Sequence, residues 1–212
     1  MSALTLPDKN CPLCPRLVEF RTANRAKFPT WHNGPVSPFG SLDAKLLIVG
    51  LAPGLRGANA TGRPFTGDWA GDLLYDTLLA KSLATGTYLE RPDDGLTLVN
   101  CRITNAVRCV PPANRPTPAE AKTCRPYLKD EMAAMPNLRA ILAIGGFAHD
   151  AVLASLGQKK SAFPFAHGAV HTVTPSVTMV DSYHCSRLNT NTGRLTAEMF
   201  ARVVEETVVH MG

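Results

Sequence analysis

Four of the six cysteines have the spacing of a metal site. Cys11 and Cys14 form a C-x2-C pair, and Cys109 and Cys124 form a second pair around a proline-rich stretch. Two thiol pairs from distant parts of a chain can complete the tetrahedral shell of a zinc ion or hold an iron-sulfur cluster. The spacing favours a metal over four buried free thiols, and it leaves zinc and iron-sulfur equally open.

A glycine-rich segment follows the short apolar run at residues 46–49. Such a run is typical of a strand buried on both faces of a parallel sheet, and ligands bind where the chain leaves these strands. The segment contains only a few side chains able to stack or react, namely Arg56, Asn59, Arg63, Phe65 and Asp68. The alternative is an ordinary connecting loop in which Asp68 caps a helix that begins at Trp69.

Two more candidate side chains follow predicted strands. Asn105 comes after the apolar run at residues 96–100, where its amide can donate to and accept from the edge of a nucleobase. The alternative for Asn105 is a turn-forming role. His184 follows the run at residues 177–180. Because the carboxyl ends of parallel strands meet at one edge of a sheet, we expect both residues to lie near the glycine-rich segment.

The elements that must position these residues alternate between strands and helices. Apolar runs predict strands at residues 46–49, 96–100, 140–144 and 177–180. Helical spacing and N-cap signals predict helices at residues 17–27, 69–83 and 147–156, and after Thr117 and Thr196. This order predicts an α/β fold, a three-layer α/β/α sandwich around a central four-stranded, mainly parallel sheet. Residues 164–173 read as a β-excursion that exposes His167 and His171, and His149 as a surface or packing residue.

Composition and charge limit the kinds of partner. With 212 residues and 45% hydrophobic content, we expect a single domain over residues 1–212. The net charge of +5 allows a polyanion such as nucleic acid. No long apolar run predicts a membrane span and no signal peptide is indicated, so we expect a cytoplasmic protein, acting as a monomer without membrane partners.

Four motifs in order resemble the iron-sulfur uracil-DNA glycosylases, and family 5 more than family 4. They are GLAPG, GANATGRPFTGD, ITNAVRC followed by a cysteine fifteen residues later, and SYHCSRLNTNTGRLT. The resemblance covers residues 11–196. It implies a monofunctional DNA repair enzyme that flips uracil out of DNA and hydrolyses the N-glycosidic bond, leaving an abasic site. The resemblance leaves open whether other deaminated bases are also released.

The resemblance also implies roles for individual residues at the base. Asp68 would orient or deprotonate the attacking water or stabilise the sugar cation, and His184 would donate a hydrogen bond to uracil O2. Substrate-binding residues would be Gly50, Ala52, Gly54, Phe65 as the stacking ring, and Asn105 as the reader of the uracil edge.

Further positions implied by the resemblance contact DNA or the cofactor. DNA-binding residues would be Arg56, Arg187, Leu188 as an inserted wedge, and Asn189. A [4Fe-4S] cluster would be bound by Cys11, Cys14, Cys109 and Cys124, and it would hold a basic loop, residues 108–125, against the DNA backbone.

Two positions depart from the family pattern. Leu55 and Arg56 stand where members have Ala-His or Gly-His, and Cys185 replaces the proline of a His-Pro-Ser motif. The loss of proline removes a restraint on the backbone just after His184. A non-catalytic or covalent uracil-DNA binding protein of the same superfamily is the alternative function, but the chain lacks the basic Lys-Arg-Arg-Ile-His insertion of the cross-linking members.

Overall fold

The computed structural model describes residues 4–212, and its strands form one large sheet and one small ribbon. The strands described are β1 (Leu46–Gly50), β2 (Ala84–Thr85), β3 (Thr97–Leu98), β4 (Cys101–Asn105), β5 (Ala140–Ile144), β6 (Val170–Thr174) and β7 (Val177–Ser182). The large sheet has the order β4-β1-β5-β7-β6, in which the first four strands are parallel. Strand β6 runs antiparallel to β7 at the edge, and β2 pairs with β3 in the ribbon.

Helices cover both faces of the large sheet. They are α1 (Pro15–Lys27), α2 (Ala58–Thr61), α3 (Trp69–Ala80), α4 (Pro118–Ala133), α5 (Gly146–Ser155), α6 (Arg187–Asn191) and α7 (Ala197–Val209). Strand β1 shows the layering, because Leu46 and Ile48 belong to the core beneath α3 and α7. Leu47 and Val49 point the other way, into the core beneath α4 and α5. The predicted α/β/α sandwich with a mainly parallel sheet is therefore confirmed.

The sheet has one strand more than the four predicted. The additional strand is β6, which lies within the predicted β-excursion and pairs with β7. Val170 and Thr172 are exposed and only Val173 is fully buried, as expected for an edge strand. A continuous apolar run therefore does not mark it, and residue patterning alone underestimated the size of the sheet.

The second predicted strand was placed wrongly. Residues 96–100 do not join the sheet; instead β4 pairs with β1 in the register Leu46 to Cys101 and Gly50 to Asn105. Asn100 has a φ of 51°, a left-handed conformation that interrupts the extended chain just before β4. Strand β4 lies at one end of the sheet and is buried throughout, and its Arg102 donates to Glu131 of α4 at 2.6 Å.

The predicted helix starts at Thr117 and Thr196 are confirmed. The Thr117 hydroxyl accepts from the Glu120 N–H, and the Glu120 carboxylate accepts from the Thr117 N–H, which completes a capping box at α4. Thr196 accepts from the Met199 N–H at the start of α7. Among residues 4–212, no helix combines the length and hydropathy that crossing a membrane requires.

Candidate active site

A cavity of about 490 Å³ opens at the carboxyl-terminal edge of the parallel strands. Segments following β1, β5 and β7, together with the last residue of β4, supply its walls. Among the predicted site residues, those lining the cavity are Ala52, Gly54, Phe65, Asp68, Asn105, His184 and Arg187. The predicted convergence of distant loops on one sheet edge is thus observed.

Gly50 lets Phe65 and Asn105 approach the same point. A Cβ atom at Gly50 would lie 2.5 Å from Phe65 Cζ and 2.6 Å from Asn105 Oδ1, so no side chain fits there. Phe65 has a φ of 52°, and the Tyr88 hydroxyl donates to its carbonyl at 3.3 Å. A phenylalanine held in the left-handed region is strained, and such strain is concentrated at functional sites.

Asp68 both caps α3 and lines the cavity, so its position is compatible with the structural and the catalytic role considered from the sequence. Its Oδ1 accepts from the Gly71 N–H at 3.3 Å and so caps α3. Its Oδ2 points the other way, and Cβ atoms at Gly54 and Gly57 would approach it to 2.6 and 2.3 Å. Burial raises the pKa of Asp68, although the backbone N–H groups of the cap oppose that rise. The carboxylate therefore reaches the cavity while its other oxygen fixes the helix.

His184 faces Phe65 across the cavity. The two ring centroids are 6.5 Å apart and the ring planes differ by 28°. Within the described chain, His184 Nδ1 is buried and has no hydrogen-bond partner. Burial lowers the pKa of His184, which favours the neutral imidazole near neutral pH. An unpaired ring nitrogen beside a cavity is available to a ligand.

Asn189 and Cys185 hold the turn that carries His184, a structural role that their sequence positions did not indicate. Asn189 Nδ2 donates to the His184 carbonyl at 2.8 Å, so the amide predicted to contact DNA points inward. The Cys185 thiol is fully buried and donates to the Ala70 carbonyl at 3.4 Å. Burial raises the pKa of Cys185 to about 12, so the thiol stays protonated. This contact to α3 supplies a tether where the missing proline would have stiffened the backbone.

The predicted DNA-contacting surface is open to solvent. Leu188 is 72% exposed, and Arg56 and Arg187 are exposed as well. The predicted basic loop is only partly at the surface, because Arg108 is buried and pairs with Glu131. Arg115 within the same loop is exposed.

The four cysteines with metal-site spacing line one small cavity beside α1 and α4. The Arg108 N–H donates to Cys124 Sγ at 3.4 Å, and Arg21 Nη1 donates to Cys109 Sγ at 3.8 Å. Burial raises the pKa of Cys14, Cys109 and Cys124 when no metal is bound. Arg21 Nε and Arg108 Nε are buried without a partner among residues 4–212. N–H donors and two arginines with unpaired N–H groups around four thiols fit an anionic metal-thiolate group.

A buried histidine network behind the cavity contradicts two expectations. His149 Nδ1 lies 2.8 Å from Asp181 Oδ1 and its Nε2 lies 2.9 Å from the Phe163 carbonyl. His171 Nε2 lies 3.0 Å from Asp181 Oδ2, so neither histidine is the exposed or simple packing residue expected. The sequence did not predict this network because its members are far apart along the chain. The pairing of β6 with β7 brings His171 to Asp181.

The contacts of His149 favour its cationic form. One ring nitrogen faces a carboxylate oxygen and the other a backbone carbonyl oxygen, and the doubly protonated imidazolium donates to both. Burial alone would lower the pKa of His149, but the hydrogen bond and the charge of Asp181 outweigh it and raise the pKa. The network anchors the end of β7, three residues before His184.

Sequence comparisons identify the family. A sequence model described as the Uracil DNA glycosylase superfamily matches residues 37–207. A type-5 uracil-DNA glycosylase of Thermus thermophilus is 44% identical over 202 residues, which cover 92% of this chain and 91% of that protein. A type-5 uracil-DNA glycosylase of Pyrobaculum aerophilum is 41% identical over 207 residues, 96% of this chain and 90% of that protein.

Similarity to the type-4 proteins is lower. A type-4 uracil-DNA glycosylase of Pyrobaculum aerophilum is 32% identical over 152 residues, 71% of this chain and 63% of that protein. The order of these similarities agrees with the preference for family 5 over family 4 drawn from the motifs. With a cavity built from the four motifs and a family match over most of its length, the chain belongs to the uracil-DNA glycosylase superfamily.

Proposed function

We propose that this chain is a monofunctional DNA repair glycosylase that flips uracil out of DNA and hydrolyses its N-glycosidic bond. One observation carries the proposal: an aromatic ring, an amide, a carboxylate and an imidazole from three distant turns line a single cavity, namely Phe65, Asn105, Asp68 and His184. A base cannot be attacked inside the duplex, so it must first be extruded, at a cost of a few kcal/mol.

Phe65 and Asn105 would hold the extruded base. Their proximity at Gly50 supports this role, because a ring and an amide at one point can stack on a base and bind its edge together. Stacking on an aromatic side chain is worth about 1–3 kcal/mol per base. The Asn105 amide offers one donor and one acceptor, the pair that matches the O4 and N3–H edge of uracil.

His184 would stabilise the departing base. A neutral imidazole donates one hydrogen bond without carrying a charge, and burial keeps the pKa of His184 low enough for that form to prevail. A donor directed at O2 strengthens as negative charge collects on uracil, so it lowers the barrier more than it tightens ground-state binding.

Asp68 would act on the other side of the glycosidic bond. Its Oδ2 is free of the helix cap, and as a carboxylate it can orient or deprotonate water or stabilise the cationic sugar. Asp68 is the acidic residue among those lining the cavity.

The substrate range would extend to other deaminated bases. The cavity volume of about 490 Å³ falls in the range of pockets that hold drug-sized ligands, which is more than a pyrimidine ring requires. Excision assays with uracil, hypoxanthine and thymine in single-stranded and duplex oligonucleotides test this range. Release of uracil alone would limit the enzyme to one base.

The four-cysteine site would hold a [4Fe-4S] cluster. The four thiols line one small cavity, and the Arg108 N–H and the Arg21 guanidinium donate to two of their sulfurs, which supports an anionic metal-thiolate group there. The resemblance of the cysteine motifs to the iron-sulfur members favours a cluster over zinc, and its role would be structural.

We also propose that residues 1–212 act as one monomeric domain in the cytoplasm. The candidate site draws all its groups from one chain, which supports a monomer. Cysteines must be reduced to bind a metal, and the cytoplasm keeps thiols reduced, which supports that location.

The test of the proposed reaction separates the two roles of Asp68. Asn is as good an N-cap as Asp, so Asp68→Asn should keep the stability of α3 and the binding of uracil-DNA while losing most excision in single-turnover assays. Asp68→Ala should lose both excision and the cap, at a cost of about 0.5–2 kcal/mol in stability. The matched control is Asp76→Ala, an exposed carboxylate on the same helix, which should excise normally.

The same assay distinguishes the alternative function. Products from a uracil oligonucleotide are resolved on a denaturing gel after alkali treatment. An enzyme produces strand breaks, whereas a covalent binding protein produces a shifted band that survives denaturation. Undiminished excision by Asp68→Asn would remove Asp68 from the mechanism.

A further inference from the structure

Trp69 is an exposed aromatic side chain beside the cavity, and neither the fold nor the proposed chemistry uses it. It is the first residue of α3, it is 48% exposed, and it lines the cavity next to Asp68. Aromatic residues are usually largely buried, because their apolar area contributes most when removed from water. An indole left half-exposed beside a binding cavity is therefore characteristic of a contact surface.

The Trp69 ring is held in one orientation by α6. Its Nε1–H donates to Thr190 Oγ1 at 2.8 Å, and the Arg187 guanidinium carbon lies 5.6 Å from the ring centroid. None of the five residues of α6 is buried, so α6 gains little stability from packing in the core. A ring already fixed by its neighbours loses little conformational freedom when a ligand stacks on it.

The surroundings of Trp69 match the chemistry of unstacked nucleic acid. Leu188 on α6 is 72% exposed, and Arg187 places positive charge beside the ring. Proteins that bind unpaired nucleotides combine aromatic rings for the bases with cations for the phosphates. Side chains of this kind around a cavity that receives a flipped base are positioned to contact the nucleotides on either side of it.

We propose that Trp69 is a DNA-contacting residue that stacks on a nucleobase neighbouring the flipped nucleotide, in addition to Phe65, which contacts the flipped base itself. This inference rests on the proposed function, because a neighbouring base loses a stacking partner only when a nucleotide leaves the duplex. Trp69 then replaces part of the stacking that extrusion removes, and Thr190 acts as the positioning residue for its ring.

The contact can be observed directly by fluorescence. The chain has two tryptophans, and Trp31 stacks on Phe28 with ring centroids 3.9 Å apart. Trp31→Phe keeps an aromatic ring there and leaves Trp69 as the sole tryptophan. Titration with a duplex that carries a tetrahydrofuran abasic-site analogue should quench the Trp69 emission, since a stacked base quenches indole. Emission that stays unchanged while anisotropy shows DNA binding would overturn the proposal.

Three variants separate stacking from a purely structural role. Trp69→Ala should weaken binding of the same duplex by about 5- to 150-fold, the range for losing one stacked base. Trp69→Phe keeps a ring but loses the bond to Thr190, and Thr190→Val loses the bond but keeps the indole, so both should bind closer to wild type than Trp69→Ala. Equal losses in all three variants would mean that the residue only tethers α6, and wild-type binding by Trp69→Ala would exclude the contact.

Failure of this inference is distinguishable from failure of the proposed function. Uracil release by the wild-type chain is measured in parallel on a uracil oligonucleotide. Quenched Trp69 emission without uracil release would support the contact and refute the glycosylase. Uracil release with unquenched emission would refute the contact alone, and a wild-type chain that binds no DNA would refute both.

Discussion

At the scale of single residues, the site depends on groups that each serve the fold and the cavity at once. Asp68 caps α3 through one oxygen and presents the other to the cavity. Asn189 is half-buried, and its amide supports the His184 carbonyl. Gly50 contributes by having no side chain, because any Cβ would displace Phe65 and Asn105. Sequence motifs located these residues, but only the three-dimensional structure shows which atom of Asp68 serves the helix and which is left for the cavity.

The pH dependence of excision should reveal Asp68 and His184 together. Asp68 is active as the carboxylate, and burial raises its pKa above 3.8, while burial lowers the pKa of His184, which is active when neutral, below 6.5. Both groups therefore reach their active forms as pH rises, so single-turnover rates should increase from acidic pH to a plateau. A His184→Gln variant should be slower and keep only the part of the pH profile that comes from Asp68. An acidic limb that is centred above pH 6.5 and disappears in His184→Gln would contradict a neutral His184 of lowered pKa.

At the scale of elements, four parallel strands end at the cavity and the helices after them fix its walls. Strands β1 and β5 were predictable because each is an apolar run buried on both faces, and β7 because it begins with the mostly apolar run at residues 177–180. Strand β4 was not predictable in the same way, because its buried Arg102 depends on acceptors from distant segments, the Glu131 carboxylate and the Gly40 carbonyl. Pairings of this kind, like those of Cys185 with Ala70 and His171 with Asp181, depend on the tertiary fold and leave no local pattern.

The capping box of α4 should couple helix stability to the proposed cluster, because α4 carries Cys124. Thr117→Ala removes the cap of the helix that carries Cys124, and it should cost about 0.5–2 kcal/mol in unfolding free energy. The matched control is Thr196→Ala, which removes an equivalent cap from α7, far from the cysteines in the sequence. We expect similar losses of stability in both, but reduced iron content and reduced absorbance near 400 nm only in Thr117→Ala. Equal iron loss in both would mean that global stability, not α4, controls the site.

The His149 network should make stability fall as pH rises above neutrality. The folded-state pKa of His149 is raised, so the folded chain binds more protons than the unfolded chain between about 6.5 and that raised pKa. The contribution is complete below the unfolded value of about 6.5 and disappears as pH increases through the folded value. Urea unfolding of the wild type across this window should show the decline, and Asp181→Asn should flatten it. A decline of equal slope in Asp181→Asn would assign it to other groups.

At the scale of the whole molecule, the cavity opens beside exposed residues that carry positive charge and apolar area. The net charge of +5 could not specify where a polyanion would bind, whereas Arg187 lines the cavity and its exposed neighbour Leu188 follows it, which makes the mouth of the cavity the proposed contact region. The fold class followed from the alternation of elements, whereas the fifth strand and the inward position of Arg108 required tertiary contacts.

Salt dependence should show which arginines meet phosphates. For Arg56→Ala and Arg187→Ala, the slope of log K against log salt for uracil-DNA should decrease in magnitude by about 1 per lost phosphate contact. Arg202→Ala, an exposed arginine on α7, is the control with the same change in net charge and should leave the slope unchanged. Identical slopes in all three variants would show that overall charge, not this face, determines binding.

The cap formed by Asp68 has a practical consequence. Because Asn satisfies the start of α3 as well as Asp does, the fold itself exerts no preference for a negative charge at position 68. With the catalytic role proposed for Asp68, exchange of one oxygen for an amide nitrogen would convert the enzyme into a stable protein that retains its lesion. Such a variant, carrying a fluorophore or an affinity tag, would serve as a reagent for locating uracil in genomic DNA.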